Sequence, residues 1–310
     1  MRRTISRRSF LSAMLGTTAL AIAACTPTAQ SDSQSAEQSP TPDNSSGPDS
    51  TQRIVALNTG QLDNLLLLGI TPVGVAAAKN ADLIPQFLRD RFGSTMDLDS
   101  IANCGLRQDP DIEAIANLAP TLICANSRTD EAILSKLRAI APVVTGEGGG
   151  ENWKQDFLTI ADAAGKSEKA TSLLSAYEDS AAAVAASLPT SPPTVSFLRT
   201  NDGEFQMYGT QSMAGTVATD CGYARPESQQ FTDQAGKDLS AELISEADAE
   251  WLFYGVQEGK PSPTETALWP SLSAVQNNHA IAVDYDAWFM NASVVSAETI
   301  LEGLQSTITA

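Results

Sequence analysis

Asp111-Ile112-Glu113-Ala114-Ile115-Ala116-Asn117-Leu118-Ala119-Pro120-Thr121-Leu122-Ile123 is answered in the second half of the chain by Ser240-Ala241-Glu242-Leu243-Ile244-Ser245-Glu246-Ala247-Asp248-Ala249-Glu250-Trp251-Leu252. Each copy puts a glutamate on the first turn of a short helix, eight residues before Thr121 in one and Glu250 in the other, at the opening of an apolar strand. Around the first copy, Arg53–Leu57, Pro72–Ala77, Thr121–Ala125 and Pro142–Val144 read as short buried strands. Leu62–Leu68, Ile84–Phe92, Ile112–Ala119 and Glu131–Ile140 read as the helices between them, with Gly69 and several prolines as punctuation. Around the second copy, Thr194–Leu198, Trp251–Tyr254 and Ala280–Val283 are expected strands, and Met213–Asp220, Ala241–Ala247, Ser271–Gln276 and Val294–Leu304 expected helices. Such alternation predicts parallel sheets built from βαβ units. Between the halves, Asn152–Leu188 is helical almost throughout, with a break near Gly165. Its second part is about 33 Å long at 1.5 Å per residue, enough to cross between two lobes. The expected fold is therefore α/β, with lobes at 53–150 and 190–310 and an interlobe helical segment at 151–189.

The chain before Arg53 is of another kind. Arg2, Arg3, Arg7 and Arg8 precede the apolar run Leu11–Ala24, which ends at Cys25. That run is too short for a membrane span of about 20 residues, and fits a secretion signal. Arg7-Arg8-Ser9-Phe10-Leu11 resembles a twin-arginine export signal, and Ala21-Ile22-Ala23-Ala24-Cys25 a lipobox that would leave Cys25 as the lipidated N-terminus after removal of residues 1–24. Residues 26–52 contain no Leu, Ile, Val or Phe. They cannot offset their ordering entropy, so residues 25–52 are expected to be a disordered tether with a reach of about 30 Å.

Composition narrows the function. Over 310 residues, 19 Lys+Arg stand against 37 Asp+Glu, a net charge of −18, which becomes −18 − 4 = −22 once the four signal arginines are removed. That balance argues against nucleic acid, whose phosphates call for clustered cations. His279 is the single histidine and falls in a turn at the amino end of a strand; a surface role is expected, and His-rich zinc sites and Ser-His-Asp machinery lose their basis. No G-x-S-x-G, G-x-x-x-x-G-K or G-x-G-x-x-G occurs, and Gly148-Gly149-Gly150 reads as a flexible connector. Cys104, Cys124 and Cys221 allow at most one bridge, and buried free thiols are expected. In open parallel sheets ligands gather beyond the carboxyl ends of the strands. Residues there are Asn58, Arg107, Asn126, Ser127, Arg128, Arg199, Tyr208, Tyr254 and Trp288. Arginines offer fixed donors for anionic oxygens, and Trp or Tyr offers area with a polar handle. The set suits a bulky ligand with an oxygen-rich centre and an organic shell. Trp269 is assigned to packing.

Asn103-Cys104-Gly105-Leu106-Arg107-Gln108-Asp109-Pro110-Asp111-Ile112-Glu113 resembles the V-G-x-R-x-x-P-N-L-E stretch of iron–siderophore binding proteins of ABC importers, above all their ferric-hydroxamate (ferrichrome-type) branch. Leu268-Trp269-Pro270 through Ala287-Trp288-Phe289 is similar to that branch's closing segment, and the likeness runs over nearly all of Arg53–Ala310. The resemblance implies two Rossmann-like lobes on one rigid long helix, no cofactor, no catalysis, and a monomer that takes a ferric siderophore to the permease subunits of an ABC transporter at the outer face of the bacterial cytoplasmic membrane. It implies that Arg107 hydrogen-bonds iron-bound oxygens, that Trp288 packs on the ligand's organic shell, and that Glu113 and Glu242, one per lobe, dock on permease arginines. Asn126-Ser127-Arg128 departs from the branch, which carries an aromatic there; Arg199, Tyr208 or Tyr254 would compensate. A ferric tris-catecholate would be repelled by a charge of −22, although local arginines can override this. Haem would want an axial His, Tyr or Met; cobalamin fits the same fold, and a lipid-anchored enzyme is the rival from another class. The expectation is a hydroxamate siderophore.

Overall fold

Burial on both faces sets the two sheets that organise the chain. The computed structural model describes residues 52–79, 81–202 and 204–308; the export signal, Cys25 and the tether lie outside them. Through the first half run β1 (Ile54–Ala56), α1 (Gln61–Leu67), β2 (Gly74–Ala77), α2 (Gln86–Phe92), β3 (Ala102–Leu106), β4 (Asp109–Pro110), α3 (Ile112–Asn117), β5 (Leu122–Asn126), α4 (Glu131–Arg138) and β6 (Val143–Gly146). Then come α5 (Trp153–Ala163) and α6 (Ser167–Ser187). The second half holds β7 (Val195–Thr200), β8 (Phe205–Tyr208), α7 (Met213–Asp220), β9 (Gly236–Leu239), β10 (Trp251–Gly255), α8 (Ser273–Gln276), β11 (Ala280–Ala282) and α9 (Val294–Ile308).

The first sheet has the order β4-β3-β2-β1-β5-β6, parallel except for β4. Ile54, Val55 and Ala56 are buried because β1 is its central strand, covered by helices on both faces. The order reverses between β2 and β5 on either side of β1, so the carboxyl ends of β1 and β5 meet at a topological switch point. The second sheet runs β11-β10-β7-β8-β9, with β7, β10 and β11 parallel and β8 antiparallel to both its neighbours. The molecule is thus α/β with two lobes. The echoed segment differs between its copies: Ile112–Asn117 is α-helical, capped by the Asp111 carboxylate on the Ala114 N–H, whereas Ala241–Ala247 winds as a 3-10 helix.

Gly165, at φ 65°, ends α5 and lets α6 set off in a new direction. The 21 residues of α6 span about 31 Å. They bury one stripe, Ala170, Leu174, Tyr177, Ala181 and Val184, at alternating spacings of four and three. Trp153 of α5 meets Tyr177 edge-on at 5.0 Å, and the Tyr177 hydroxyl donates to Asp220 of α7 at 2.9 Å. One hydrophobic cluster runs from Ile54 and Leu88 through Trp153 and Tyr177 to Val195, Phe197 and Ile300, so packed helices, not a loose linker, join the lobes.

Polar contacts complete the joint. Gly60 takes φ 84° and lies so close to the Ala292 carbonyl that a β-carbon would collide with it. Its N–H donates to Asn291 Oδ1 at 3.2 Å. The Ser293 hydroxyl donates to Asp63 Oδ2 at 2.8 Å, and the Val294 N–H to Asn64 Oδ1 at 3.3 Å, all in buried surroundings.

Candidate functional site

The strand ends of both sheets open on one cleft of about 220 Å³. Its first wall comes from the turn after β1 (Asn58, Thr59, Gly60), the β3–β4 hairpin (Arg107), and the end of β5 with the loop that follows (Asn126, Arg128). Arg107 is presented by a two-residue turn, since Leu106 pairs with Asp109 across the hairpin. Its N–H donates to the Ala77 carbonyl at 2.9 Å, and its Nη1 to Thr59 Oγ1 at 3.3 Å. Asn126 Oδ1 accepts from both the Arg128 N–H (2.9 Å) and Nε (3.3 Å), which turns Arg128 inward. Arg107 and Arg128 also border an adjoining shallow recess of about 350 Å³.

Gly148–Gly150, read from the sequence as a flexible connector, is instead part of the wall. Gly148 takes φ 69°, and a β-carbon there would strike Asn126 Nδ2 and lie 2.6 Å from Arg128 Nη2. Glycine is required because side chains of the site occupy its space. The loop is pinned by Asp156, whose carboxylate accepts from the Glu147 and Gly148 N–H groups at 2.8 and 2.7 Å.

The second wall is Tyr208, Met213, Phe289, Met290 and Ala292. Tyr208 donates to the Phe289 carbonyl at 3.3 Å, its ring centroid lies 5.4 Å from that of Phe289, and burial pushes its pKa up to about 12, so it stays a neutral phenol. Arg199 reaches in from β7, its guanidinium 5.0 Å from the Tyr208 ring centroid and its Nη1 3.4 Å from Met290 Sδ, while Nε and Nη2 donate to Gln206 Oε1 at 3.1 and 2.8 Å. The pKa of Arg107 is lowered, first by its burial and then by the charges of Arg199 and Arg128. Arg107 and Arg128 thus line the cleft with Arg199 at its edge, and among the described residues none of the three is ion-paired to a carboxylate.

The structure brings Asn58, Arg107, Asn126, Arg128, Arg199 and Tyr208 together, and corrects three expectations. Trp288 is 3 % exposed, stacked on Phe253 at 5.2 Å and pressed against Gly303. A π-helical turn over Asp286–Met290 sends Trp288 into the core while its neighbours Phe289 and Met290 line the cleft. Tyr254 points to the other face of its sheet and packs on Trp269, edge to face at 4.9 Å. Ser127 is exposed and donates to Glu147 at 3.1 Å, outside the cleft. Thr59, Met213, Phe289 and Met290 were missed; of these, Thr59 falls one residue past Asn58 and was within reach of the strand-end rule. His279 Nδ1 donates to the Glu250 carbonyl (3.0 Å), and the ring stacks on Trp251 at 3.8 Å, in its expected turn. Cys104, Cys124 and Cys221 are buried and free, and burial raises the Cys124 thiol pKa to about 12. Glu113 and Glu242 are exposed; the Glu242 pKa is lowered by hydrogen bonds from its own N–H and from Ser240.

Known proteins share this architecture. The model of the periplasmic binding protein family matches residues 54–287. The chain is 30 % identical over 275 residues to the probable siderophore-binding lipoprotein YfiY of Bacillus subtilis, covering 84 % of this chain and 83 % of that one. It is 29 % identical over 255 residues to the Fe(3+)-citrate-binding protein YfmC of the same organism, covering 80 % and 78 %. The crystal structure of Staphylococcus aureus SirA superposes with a TM-score of 0.71 at 24 % identity, over 83 % of this chain and 99 % of that one. With two sheets facing one cleft and a family match across both, the chain belongs to the periplasmic binding protein family.

Proposed function

We propose that this chain is the exported, lipid-anchored binding component of an ABC importer, which captures a ferric siderophore and releases it to the permease without transforming it. The observation that carries this reading is the convergence of Arg107, Arg128 and Arg199, unpaired with any described carboxylate, on an open cleft whose far wall is Tyr208, Met213, Phe289 and Met290. Cationic donors beside an apolar surface complement a metal chelate with charged oxygens and an organic periphery. The names of YfiY, a siderophore-binding lipoprotein, and YfmC, a ferric-citrate binder, support it. The reading divides the chain into a signal (1–24), a tether from the lipidated Cys25 to residue 52, lobes at 53–150 and 190–310, and the interlobe segment 151–189. Glu113 and Glu242 are assigned to permease docking. Both are exposed first-turn acids; Leu243, 50 % exposed, adjoins Glu242, and Leu106, 42 % exposed, sits on the hairpin leading into the Glu113 helix.

Titration with ferric citrate, ferrioxamine, ferrichrome and a ferric tris-catecholate, followed by tryptophan fluorescence and calorimetry, tests the reading. At least one should bind at micromolar concentration or below. Arg107→Ala should weaken that binding by about 1.5–3 kcal/mol, the scale of a hydrogen bond to a charged group. If none of the chelates binds, the assignment fails.

A further inference from the structure

The two walls of the cleft differ in chemistry more than a symmetric tris-hydroxamate would need. On the first wall, Asn58, Thr59, Arg107, Asn126 and Arg128 offer polar atoms, and two of them are cations. On the second, Tyr208, Met213, Phe289, Met290 and Ala292 offer mostly carbon and sulfur. The polar side chains on that side are already engaged: Ser212 Oγ donates to the Gly209 carbonyl at 2.7 Å and accepts the Gly215 N–H at 3.0 Å, while Asn291 bonds Gly60 and Asp286. Arg199 lies at the edge of this apolar wall.

Outside the signal segment the chain has 19 − 4 = 15 Lys and Arg, and three of them meet here, in a molecule with nearly twice as many acids as bases over its length. Nearby carboxylates are committed elsewhere. Asp156, which also lines the cleft, holds the Glu147 and Gly148 N–H groups, Asp130 caps α4 through the Ala132 N–H at 2.7 Å, and Asp202, although within electrostatic reach of Arg199, pairs with Lys260 at 2.9 Å. Crowding three guanidinium groups with no carboxylate ion-paired to any of them is costly in a half-buried site, and an anion that bridges them lowers the cost. A ferric tris-hydroxamate, near neutral or cationic, cannot do this. Carboxylate oxygens can, and match the planar fork of arginine two at a time.

We infer that the ligand is a net-anionic ferric chelate bearing carboxylates and hydrocarbon arms, its carboxylate face on Arg107, Arg128 and Arg199 and its arms on Met213, Phe289 and Met290. This rests on the siderophore reading and narrows it: hydroxamate groups coordinate the iron only as part of such a mixed, carboxylate-bearing ligand.

Four probes separate the possibilities: a ferric citrate-dihydroxamate of the aerobactin type (carboxylates and arms), ferric citrate (carboxylates without arms), ferrioxamine B (hydroxamates without carboxylate) and a ferric tris-catecholate (anionic without carboxylate). The citrate-dihydroxamate should bind at least about tenfold more tightly than ferrioxamine B, the size of one charged hydrogen bond. Its affinity should fall as NaCl rises from about 50 to 500 mM, which screens the arginine–carboxylate attraction. Arg128→Gln and Arg199→Gln should each weaken it at least about tenfold more than they weaken ferrioxamine B, and Met290→Asn should weaken it more than ferric citrate. The salt titration uses the unaltered protein, so it decides even where a variant folds poorly. Tightest binding of ferrioxamine B, insensitive to salt, would overturn the inference and leave the siderophore reading standing. Tightest binding of the catecholate would replace carboxylate with catecholate. Failure of every chelate would remove both.

Discussion

Asp63 shows how a single residue couples the lobes to pH. Its carboxyl is 1 % exposed, accepts from Ser293 of the opposite lobe at 2.8 Å, and has its pKa raised from 3.8 to about 6, chiefly by burial. Hydrogen bonds from Ser293 and from its own backbone oppose the rise, and Asp286 adds slightly to it. Asp286 is itself raised to about 6, by burial and then by Asp284 and Asp82. In the unfolded chain such a carboxyl loses its proton near 3.8, whereas in the native state it keeps it to about 6. Between those values the unfolded state has released a proton that the native state holds, so stability falls as pH rises through the window and levels off above it. Asp63→Asn retains an acceptor for Ser293 and removes this titration. Urea denaturation from pH 4 to 7.5 should show the variant gaining on the parent protein across that window, by up to about 3 kcal/mol for a shift of about two units. A stability difference that stays constant with pH would mean that Asp63 is ionised in the native protein.

At the scale of elements, strands made of Val, Ile and Leu were legible from the sequence because both faces of a central parallel strand are buried: β1, β2, β5, β7 and β10 fall where such runs lie, and so do the parallel edge strands β6 and β11. Met213–Asp220 and the two-part helix broken at Gly165 were equally legible from period and punctuation. The edge strands β4 and β9 were not. Gly236-Lys237-Asp238-Leu239 carries charge and a single large apolar residue, as an edge strand can, and the β3–β4 hairpin turns on Arg107-Gln108, which have no turn signature. The site divides in the same way. Strand-end position alone found Asn58, Arg107 and Arg128, but it cannot say which way a side chain points, and neighbours on a strand face opposite sides. Hence Tyr254 packs on Trp269 while Phe253, one residue before it, stacks on Trp288. The π-helical turn is still less legible, because one residue of register there decides between core and cleft. Trp288 is accordingly a packing residue of α9 and β10, and Trp288→Ala should cost about 3–5 kcal/mol in urea unfolding, as for large aromatic truncations in a core. Trp288→Phe should cost less and leave ligand affinity within about twofold. A tenfold loss of affinity in the Phe variant with stability preserved would return Trp288 to the site.

Over the whole molecule, the proposed function puts ligand capture in the cleft and delivery at two acidic turns outside it. The cleft is lined by the turns after β1, β5 and β6, the β3–β4 hairpin and the second-lobe segments around Tyr208 and Met290, whereas Glu113 and Glu242 stand on exposed first turns that do not line it. Between the lobes lie the packed α5, α6 and α9 and the buried bonds of Gly60, Asp63 and Asn64 to Asn291, Ser293 and Val294. A joint with a continuous apolar core permits small adjustments more readily than wide opening, so a partner gripping one acidic turn on each lobe could strain the cleft without unfolding it. Each glutamate is solvated and, at the positive end of its short helix, already favourably placed; removing both should change stability little. The double variant Glu113→Ala, Glu242→Ala should therefore bind its ferric ligand with the parent affinity, within about twofold, and fail to support ligand-dependent iron uptake when it replaces the parent protein in cells. Surface charges of this kind contribute mostly to association rate, so each single variant should slow uptake and the loss should lessen at high ionic strength, where the steering is screened. Uptake at the parent rate by the double variant would remove both glutamates from the docking surface, while loss of ligand binding along with uptake would show that the acidic turns act on the cleft itself.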